Sequence, residues 1–550
     1  MARHRLAAAV AATLAAAVLG NPAAAQTADQ LEAQAGQALQ AKEYARAGDL
    51  LARAFALEHS GEQAYNAACA HALAGDKEKA LAELRQAIDA GFLDAGHAAQ
   101  DADLAGLRAD PRFQPLIEQM QRKHDLEARL YDSDALASPY RENLSEDEKV
   151  AGLSKFWSEV KYNFVYVDTL KEIDWDRLYL EYLPRVRATR STAEYYKVLM
   201  ELCARLKDGH TNVYPGAELR NTTMARPKLS AHLVEGRVLV RRVFDPELTA
   251  RGIVPGTEVV AVDGQPVKEY AVRALAPYVS ASTPQDLERR IYTYTFLSGP
   301  VDVAPRVRFR TAAGKTIELD LKRASLDDYN KAVPETPPFE LKILPGNIAY
   351  VALNGFGDDR AADAFLAAFD KIAASSALII DVRNNGGGNS NVGYRVLATL
   401  TDKPFQTSRW ETRNYRPSYR AWRRAMPNYS EVASNRDPDT AHQYRKPVAV
   451  LTSSATYSAA EDFAVAFDSM QRGTLAGEAT GGSTGQPLMF GLPGGGFARV
   501  CTKADTYPDG RQWVGKGIQP ALKVAPTVLD VQKGRDTVLE ATVAALKKQI

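Results

Sequence analysis

This chain of 550 residues has few cysteines, no large excess of positive or negative charge, and no common metal-binding sequence motif. Cys69, Cys203 and Cys501 lie far apart and cannot all pair, which excludes a disulfide framework. Lysine and arginine number 68 against 67 aspartate and glutamate, so the composition gives no support to a nucleic-acid partner. No HExxH, paired CxxC or EF-hand loop occurs, and we expect neither a metal nor another cofactor.

The amino terminus predicts export. Basic residues at positions 3–5 precede an alanine-rich apolar run, and the alanines at 23–25 offer the small-residue cleavage site of a secretory signal peptide. The run is too short for a membrane span, and no cysteine follows it to carry a lipid. We therefore expect residues 1–25 to be a signal peptide and the protein to be periplasmic or secreted in a bacterial envelope.

Residues 26–130 are predicted to form tetratricopeptide-like helical repeats. The segments KEYARAGDLLARAF (Lys42–Phe55) and GDKEKALAELRQAI (Gly75–Ile88) align with their small and apolar positions matched. Their offset of 33 residues is close to the ~34-residue tetratricopeptide period. Such an array either docks a protein partner or serves as a stabilising cap, and the sequence leaves both open.

Residues 145–225 are predicted to be a helical segment that ends in the motif DGHT. Its aromatic side chains, from Phe156 to Tyr166, recur too densely for an exposed face, so we expect them to pack on another part of the chain.

Residues 226–325 contain short runs of strand-forming residues. A strand is predicted over Gly236–Phe244, and the Asp263-Gly264 pair is a hairpin turn signal. This region resembles a PDZ domain, a fold that captures extended peptides by adding a strand to a sheet edge. The alternative is a structural β-insert that binds nothing.

Residues 340–550 contain two strand-turn-helix patterns that carry the chemistry. ALIIDVRNNGGG (Ala377–Gly388) ends in glycines whose N–H groups can point at a negatively charged group. PVAVLTSSATYSAAEDFAVAF (Pro447–Phe467) places Ser458 where a helix begins, near the positive end of the helix dipole. The alternative for Ser458 is a capping box, because Ser458-Ala-Ala-Glu461 has the S-x-x-E spacing.

The ordered set of DGHT, the PDZ-like region, DVRNNGGG and TYSAAE resembles the tail-specific or C-terminal processing family of serine peptidases, in the branch of the tricorn core protease. The resemblance covers roughly residues 150–530. It implies a multidomain α/β fold with a crotonase-like α/β peptidase core at 340–550. It also implies Ser458 as the nucleophile, with the backbone N–H groups of Gly386, Gly387 and Ala459 as the oxyanion hole.

The resemblance assigns the general base to His210. One branch of the family uses a lysine at a position that falls here on Ser483, and the first lysine after Ser458 is Lys503, so a Ser–Lys dyad is not expected. The other branch uses a histidine upstream of the PDZ-like insert, and His210 matches it. Histidine suits this role because its pKa lies near the working pH.

Two positions depart from the pattern of that branch. Gly209 stands where the family has a serine before the histidine, and Val514 stands where we expect the acid. The sequence leaves open which acid, if any, orients His210, and three candidates are available: Asp208, Asp505 and Asp509. One further segment, Arg409–Arg424, mixes arginine with aromatic residues and is either a lid that binds a substrate carboxylate or, as we expect, a solvated helix face.

These features predict an exported serine endopeptidase that hydrolyses unfolded or carboxyl-terminal protein segments through an acyl-enzyme. Protein or peptide substrates are the expected partners, together with a protein partner of the helical repeats in one of the two interpretations. Two alternatives remain: a catalytically weak or inactive binding protein on the same fold, and an assembly factor that works through the repeats.

Overall fold

The computed structural model describes residues 26–550, so the predicted signal peptide lies outside the described residues. The chain divides after Ser133 into two compact units. No helix between residues 26 and 550 combines the length and the apolar character that crossing a membrane requires.

The first unit is entirely helical. Consecutive helices α1 to α4 contact one another in order, and the positions that the sequence alignment matched, such as Ala47 and Ala80 or Ala54 and Ala87, are fully buried between them. Small side chains at these places let the helix axes approach closely, as the sequence predicts. The helices are α1 (Ala28–Gln40), α2 (Tyr44–Glu58), α3 (Gly61–Leu73), α4 (Lys77–Asp89), α5 (Ala95–Gln100) and α6 (Phe113–Tyr131).

The second unit begins with a helical layer. Its aromatic residues Phe156 and Phe164 are fully buried and pack in one apolar cluster with Leu492 and Val500, which lie more than 300 residues further along the chain. The expectation that these aromatics pack on another part of the chain is therefore confirmed. The elements are α7 (Glu146–Asn163), α8 (Val167–Glu172), α9 (Trp175–Arg187), α10 (Thr192–Ala204), β1 (Asn212–Tyr214) and α11 (Ala217–Thr222).

A β-rich insert follows, built on an antiparallel sheet with its own apolar core. Asp263 and Gly264 have φ of 48° and 78°, the left-handed pair that a tight two-residue hairpin requires, and they join β4 to β5. The strand expected over 236–244 is present as β3. The elements are β2 (Leu229–Val234), β3 (Arg237–Val243), α12 (Pro246–Ala250), β4 (Glu258–Val262), β5 (Gln265–Pro266), α13 (Val267–Ala274), α14 (Pro284–Arg289), a π-helical turn (Arg290–Tyr294), β6 (Arg306–Arg310), β7 (Thr316–Asp320) and α15 (Leu326–Ala332).

The remaining residues form the α/β core. Its elements are β8 (Phe339–Leu344), β9 (Ile348–Leu353), α16 (Arg360–Ala367), α17 (Phe369–Ala373), β10 (Ala377–Asp381), α18 (Ser390–Ala398), β11 (Phe405–Gln406), β12 (Arg409–Arg413), α19 (Pro417–Ala421), β13 (Asn428–Glu431), β14 (Asn435–Arg436), β15 (Val448–Thr452), α20 (Ala459–Ser469), β16 (Thr474–Gly477), β17 (Pro487–Leu492), β18 (Gly496–Cys501), β19 (Lys503–Thr506), β20 (Leu522–Lys523), α21 (Val528–Gln532) and α22 (Thr537–Leu546).

The main sheet of the core has the strand order β20-β16-β15-β10-β9-β8 and is parallel except for the edge strand β8. Strand β10 is buried along its whole length because both faces of the sheet are covered. Leu378 and Ile380 face one apolar cluster while Ala377 and Ile379 face the other. The carboxyl ends of β10 and β15 therefore meet at one edge of the sheet, where the two chemical motifs begin.

The segment Arg409–Arg424 differs from the helix face that the sequence suggests. Its first part is strand β12, which pairs with β13 and β19, and only Pro417–Ala421 is helical. Alternating Thr and Trp favour a strand there, since sheet pairing overrides the helical spacing of the arginines.

The buried centre of the main sheet sets a large share of the stability. Replacing Ile380, which is 0% exposed, by alanine should lower the free energy of unfolding by about 2–5 kcal/mol. The matched change at Ile343, which is 42% exposed on β8, should cost less than about 1 kcal/mol. Chemical denaturation of the two variants measures both values, and equal losses would contradict this assignment of the core.

Candidate active site

Ser458 lies in a sharp turn between β15 and α20. Its backbone has φ 55° and ψ −126°, a conformation that residues with a side chain rarely adopt. Three backbone hydrogen bonds hold it there: the Ser458 N–H donates to the carbonyl of Ser483 at 3.2 Å, and the N–H groups of Glu461 and Asp462 donate to the carbonyl of Ser458 at 2.7 and 3.2 Å. The turn thus presents the Ser458 side chain outward instead of along the helix.

The capping-box alternative for Ser458 is wrong. The Ser458 side chain makes no capping hydrogen bond to α20, and its Oγ lies 3.1 Å from Nε2 of His210. Glu461 turns away from the helix start and accepts hydrogen bonds from the loop at 480–483. The S-x-x-E spacing is present, but both of its side chains are used elsewhere.

His210 lies in the short loop between α10 and β1 and is buried. The loop is fixed by its own residues, since the hydroxyl of Thr211 donates to Asp208 Oδ2 at 2.6 Å, and by Arg290 and Arg499, which both donate to the carbonyl of Gly209. The imidazole stacks on the ring of Tyr457 with 5.2 Å between the ring centroids. Although 248 residues separate them in sequence, Ser458 and His210 are brought within hydrogen-bond distance.

The surroundings keep the His210 imidazole neutral. Burial lowers the pKa of His210 well below its usual value, and the positive charges of Arg499, Arg290 and Lys503 lower it further. On its other side, Nδ1 lies 2.8 Å from Oγ of Ser483. With the proton on Nδ1 donated to Ser483, Nε2 is free to accept the hydrogen of the Ser458 hydroxyl.

None of the three candidate acids forms a hydrogen bond with the His210 imidazole, whose ring nitrogens pair with Ser483 and Ser458. Asp208 accepts hydrogen bonds from Thr211 and Ser282, and burial raises its pKa. Asp505 forms an ion pair with Lys503 at 2.8 Å, and Asp509 pairs with Arg511 at the surface. Val514 packs on the apolar core and offers no carboxylate either.

Ser483 occupies the position that an orienting acid would take, and the sequence reasoning missed this role. The signal that was available is the stretch GGSTG (Gly481–Gly485), which has the G-x-S-x-G spacing of a nucleophile turn. Ser483 is nevertheless fully buried and does not line the cavity next to Ser458, so it cannot reach a substrate.

Glu461 shapes the loop that carries Ser483. Its Oε2 accepts the Ser483 N–H at 3.0 Å, and its Oε1 accepts the Gly482 N–H at 2.8 Å and the Thr480 hydroxyl at 2.5 Å. Burial raises the pKa of Glu461 to about 8, while these hydrogen bonds act in the opposite direction. The buried carboxyl therefore acts on His210 only indirectly, through the backbone of the loop.

Tyr457 explains why glycine precedes His210. A side-chain carbon built on Gly209 would overlap the hydroxyl oxygen of Tyr457 and would lie 2.8 Å from Asp286 Oδ2. That hydroxyl donates to Asp286 Oδ2 at 3.3 Å and accepts from Arg290 at 2.9 Å, while Arg290 pairs with Asp286 at 2.7 Å. The tyrosine hydroxyl thus fills the space that a serine at position 209 would need.

The glycine loop approaches the Ser458 turn closely, with one correction to the predicted oxyanion hole. The Gly387 N–H already donates to Asn385 Oδ1 at 2.9 Å, so it is not free to bind an oxyanion. The absence of a side chain at Gly387 instead lets the glycine loop approach the Ser458 turn, because a Cβ there would lie 2.7 Å from Cβ of Ser458 and 2.9 Å from the nitrogen of Ala459. The N–H groups of Gly386 and Ala459 donate to no acceptor within residues 26–550.

Ser458 opens into a cavity of about 810 Å³. Its walls come from the helical layer, the β-rich insert and the core, and its lining includes His210, Tyr457 and Gly386. A cleft of this size accommodates several residues of an extended peptide.

The described residues contain one cluster with the composition of a metal site, far along the chain from Ser458. Ligand atoms of Cys69, Asp101 and Asp103 lie within 4.8 Å of one another. Burial raises the pKa of the Cys69 thiol to about 12, which disfavours the thiolate that binds metals.

Comparisons with known proteins find that two segments of this chain are similar to domains of peptidases. Residues 347–524 match the sequence profile of peptidase family S41, and residues 148–204 match that of the tricorn protease C1 domain. Two segments of the chain are thus similar to an S41 peptidase domain and to a tricorn-type C1 domain, in agreement with the resemblance noted in the sequence.

Two curated relatives carry related names. A tricorn protease homolog of Streptomyces coelicolor is 26% identical over 395 residues, which are 68% of this chain and 30% of that protein. A chloroplastic C-terminal processing peptidase of Tetradesmus obliquus is 24% identical over 286 residues, which are 50% of this chain and 54% of that protein. This chain therefore spans about a third to a half of the relatives it matches.

Among solved structures, mature CPAF shares the fold. The likeness has a TM-score of 0.57 at 14% sequence identity and covers 73% of this chain and 96% of that one. The chain thus shares its overall fold with that structure.

The close contact between Gly209 and Tyr457 predicts that a side chain at position 209 is destabilising and that removing the Tyr457 hydroxyl compensates for it. Gly209→Ala should destabilise the protein by about 1–3 kcal/mol, because the new methyl group displaces the tyrosine hydroxyl. Adding Tyr457→Phe should recover part of that loss by removing the overlapping oxygen. Thermal or chemical unfolding of both single variants and the double variant tests this, and additive losses would refute the steric coupling.

Proposed function

We propose that this protein is an exported serine endopeptidase that cleaves unfolded or carboxyl-terminal protein segments through an acyl-enzyme. The observation that carries the proposal is the 3.1 Å distance between Ser458 Oγ and His210 Nε2 at the wall of a peptide-sized cavity. The S41 domain supports the reaction class.

In the proposed mechanism Ser458 Oγ attacks the peptide carbonyl while His210 Nε2 takes its proton. The C–N bond then breaks, and the imidazolium returns that proton to the leaving amine. Water, deprotonated by the same Nε2, hydrolyses the acyl-enzyme and restores the Ser458 hydroxyl. The low pKa of His210 keeps the base unprotonated at neutral pH, because burial and nearby cations disfavour the charged ring.

The N–H groups of Gly386 and Ala459 are the proposed donors to the oxyanion. Ala459 is the first residue of α20, so its N–H lies at the positive end of the helix dipole. Each such donor contributes on the order of 3 kcal/mol to stabilising the tetrahedral intermediate. Gly387 contributes through the close approach of its backbone to Ser458, not through its N–H.

Ser483 is the proposed positioning residue for His210. In the tautomer that carries its proton on Nδ1, that N–H donates to the Ser483 hydroxyl, and Nε2 is left basic and facing Ser458. Tyr457, whose ring stacks on the imidazole, donates its hydroxyl hydrogen to the buried carboxylate of Asp286, which does not itself bond to the histidine.

Export, the PDZ-like character of the insert and a partner for the helical repeats belong to the same proposal. Basic and alanine-rich residues at 1–25 support export. The antiparallel sheet of the insert and its hairpin at Asp263 support a module that adds a peptide strand. The buried small residues shared by α2 and α4 support a tetratricopeptide-like array.

A second candidate function is a binding protein with little or no catalysis. It is favoured by one observation: no carboxylate of the described residues forms a hydrogen bond with the His210 ring, so an imidazolium formed during the reaction has no directly bonded negative charge. Peptide binding without hydrolysis and without covalent labelling would establish this alternative.

The nucleophile is tested with a serine-directed fluorophosphonate probe. The wild-type protein should be labelled, and Ser458→Ala should lose the label and the hydrolysis of an unfolded protein, because the attacking oxygen is gone. Ser454→Ala, four residues earlier in the same turn, is the matched control and should keep both. Equal labelling of wild type and Ser458→Ala would rule out the assignment.

The role of Ser483 is tested by steady-state kinetics. Ser483→Ala should lower kcat by up to about 100-fold with little change in KM, since the base loses its orientation while the cavity keeps its walls. Ser483→Thr retains a hydroxyl and should recover much of the rate. A rise in KM with kcat unchanged would contradict the positioning role.

A further inference from the structure

The cavity next to Ser458 is strongly cationic in a chain that is almost neutral overall. Six cationic side chains line it, against one carboxylate, that of Asp286. Asp286 is already committed, because it pairs with Arg290 at 2.7 Å. The cationic residues are Lys197, Arg220, Arg226, Arg289, Arg290 and Arg499.

Two of these arginines have unsatisfied hydrogen-bonding capacity. The buried Nε atoms of Arg220 and Arg226 have no hydrogen-bond partner within the described chain. Arg226 is held over the ring of Tyr329 at 3.7 Å and donates through Nη1 to the carbonyl of Tyr294 at 2.7 Å, so its guanidinium is fixed in place. These Nε atoms are shielded from solvent, so the positive charge of the two side chains on the cavity wall, not the Nε atoms, is what an anion would meet.

No acidic side chain neutralises this part of the cavity. Between residues 26 and 550, neither Arg220 nor Arg226 forms an ion pair, and Arg289 donates only to the hydroxyl of Tyr294. Burial lowers the pKa of Arg226, and only the hydroxyl groups of Tyr329 and Tyr294, with no carboxylate, act in the opposite direction. The same excess of positive charge helps to lower the pKa of His210, through Arg499 and Arg290.

We propose that this cavity selects acidic peptide segments and binds their side-chain carboxylates with Arg220 and Arg226 as the principal anchors. Two separate guanidinium groups that no carboxylate of the described chain neutralises can pair with two carboxylates of a ligand, whereas a chain terminus supplies only one. The proposal rests on the proposed function in that the bound segment is the substrate of Ser458. The arginines of Arg409–Arg424, where the sequence offered a carboxylate site, do not line the cavity.

The test measures binding to the full chain carrying Ser458→Ala, so that no probe is consumed. Four fluorescein-labelled peptides share one apolar backbone: each has a Glu pair or a Gln pair, with a free or an amidated carboxyl terminus. By fluorescence anisotropy, the Glu peptides should bind at least about tenfold more tightly than the Gln peptides, whichever terminus they carry. The preference should weaken as salt is raised from 50 to 500 mM.

Variants locate the effect within the cavity. Arg220→Gln should reduce the Glu-to-Gln ratio several-fold, and since Arg220 makes no hydrogen bond that the fold depends on, it should remain folded. Arg226→Gln should do the same, while Arg226→Lys keeps the charge and should retain part of the preference. Arg251→Gln, an exposed arginine at the end of α12, is the matched control and should leave all affinities unchanged.

The outcomes separate this inference from the proposed function. Equal binding of Glu and Gln peptides, or a preference set by the free carboxyl terminus alone, would overturn the inference while Ser458 labelling and hydrolysis stand. A charge preference lost in Arg220→Gln, in a protein that neither labels nor hydrolyses, would support the acidic-segment site and refute the peptidase instead.

Discussion

The left-handed backbone of Ser458 is the constraint on which the rest of the site depends. Such a conformation costs about 1–3 kcal/mol and persists only where its neighbours hold it. Two segments do so: the Tyr457 N–H donates to the carbonyl of Asn385 at 3.1 Å, and the Ser458 N–H donates to that of Ser483 at 3.2 Å. The glycine loop and the loop at 480–483 are thereby fixed to the same turn, and Gly387 must lack a side chain to fit beside it.

The sequence predicted the parts of the site that have a local pattern. Two apolar strands that end in polar turns identify the edge of the sheet, and short motifs identify Ser458 and His210. The support of the histidine could not be found in this way, because the contact between His210 and Ser483 spans 273 residues and a single hydroxyl leaves no periodic signal. The hydrogen bond that occupies the Gly387 N–H could not be predicted either, since it depends on the conformation of the Asn385 side chain within its own loop.

The electrostatics behind His210 differ from a triad in which a carboxylate touches the imidazole. Here a serine hydroxyl makes that contact, and the buried carboxylate of Asp286 nearby is paired with Arg290 at 2.7 Å. The protein therefore stabilises the neutral histidine more than the charged one. Because the Tyr457 hydroxyl takes the volume of a side chain at position 209, substitutions at these two positions are expected to occur together within related sequences.

The loop at 480–483 is held from two directions. From the core, Glu461 binds its N–H groups; from the β-rich insert, Thr283 donates to the carbonyl of Gly481 at 2.8 Å and Gln285 to that of Thr480 at 3.0 Å. The insert therefore forms part of the scaffold of the site, in keeping with a single compact unit from residue 134 to the carboxyl terminus. Although the insert is a separate region in the sequence, it is not independent of the site in the structure. Deleting it would remove the hydrogen bonds from Thr283 and Gln285 that hold the loop carrying Ser483, the residue in contact with His210.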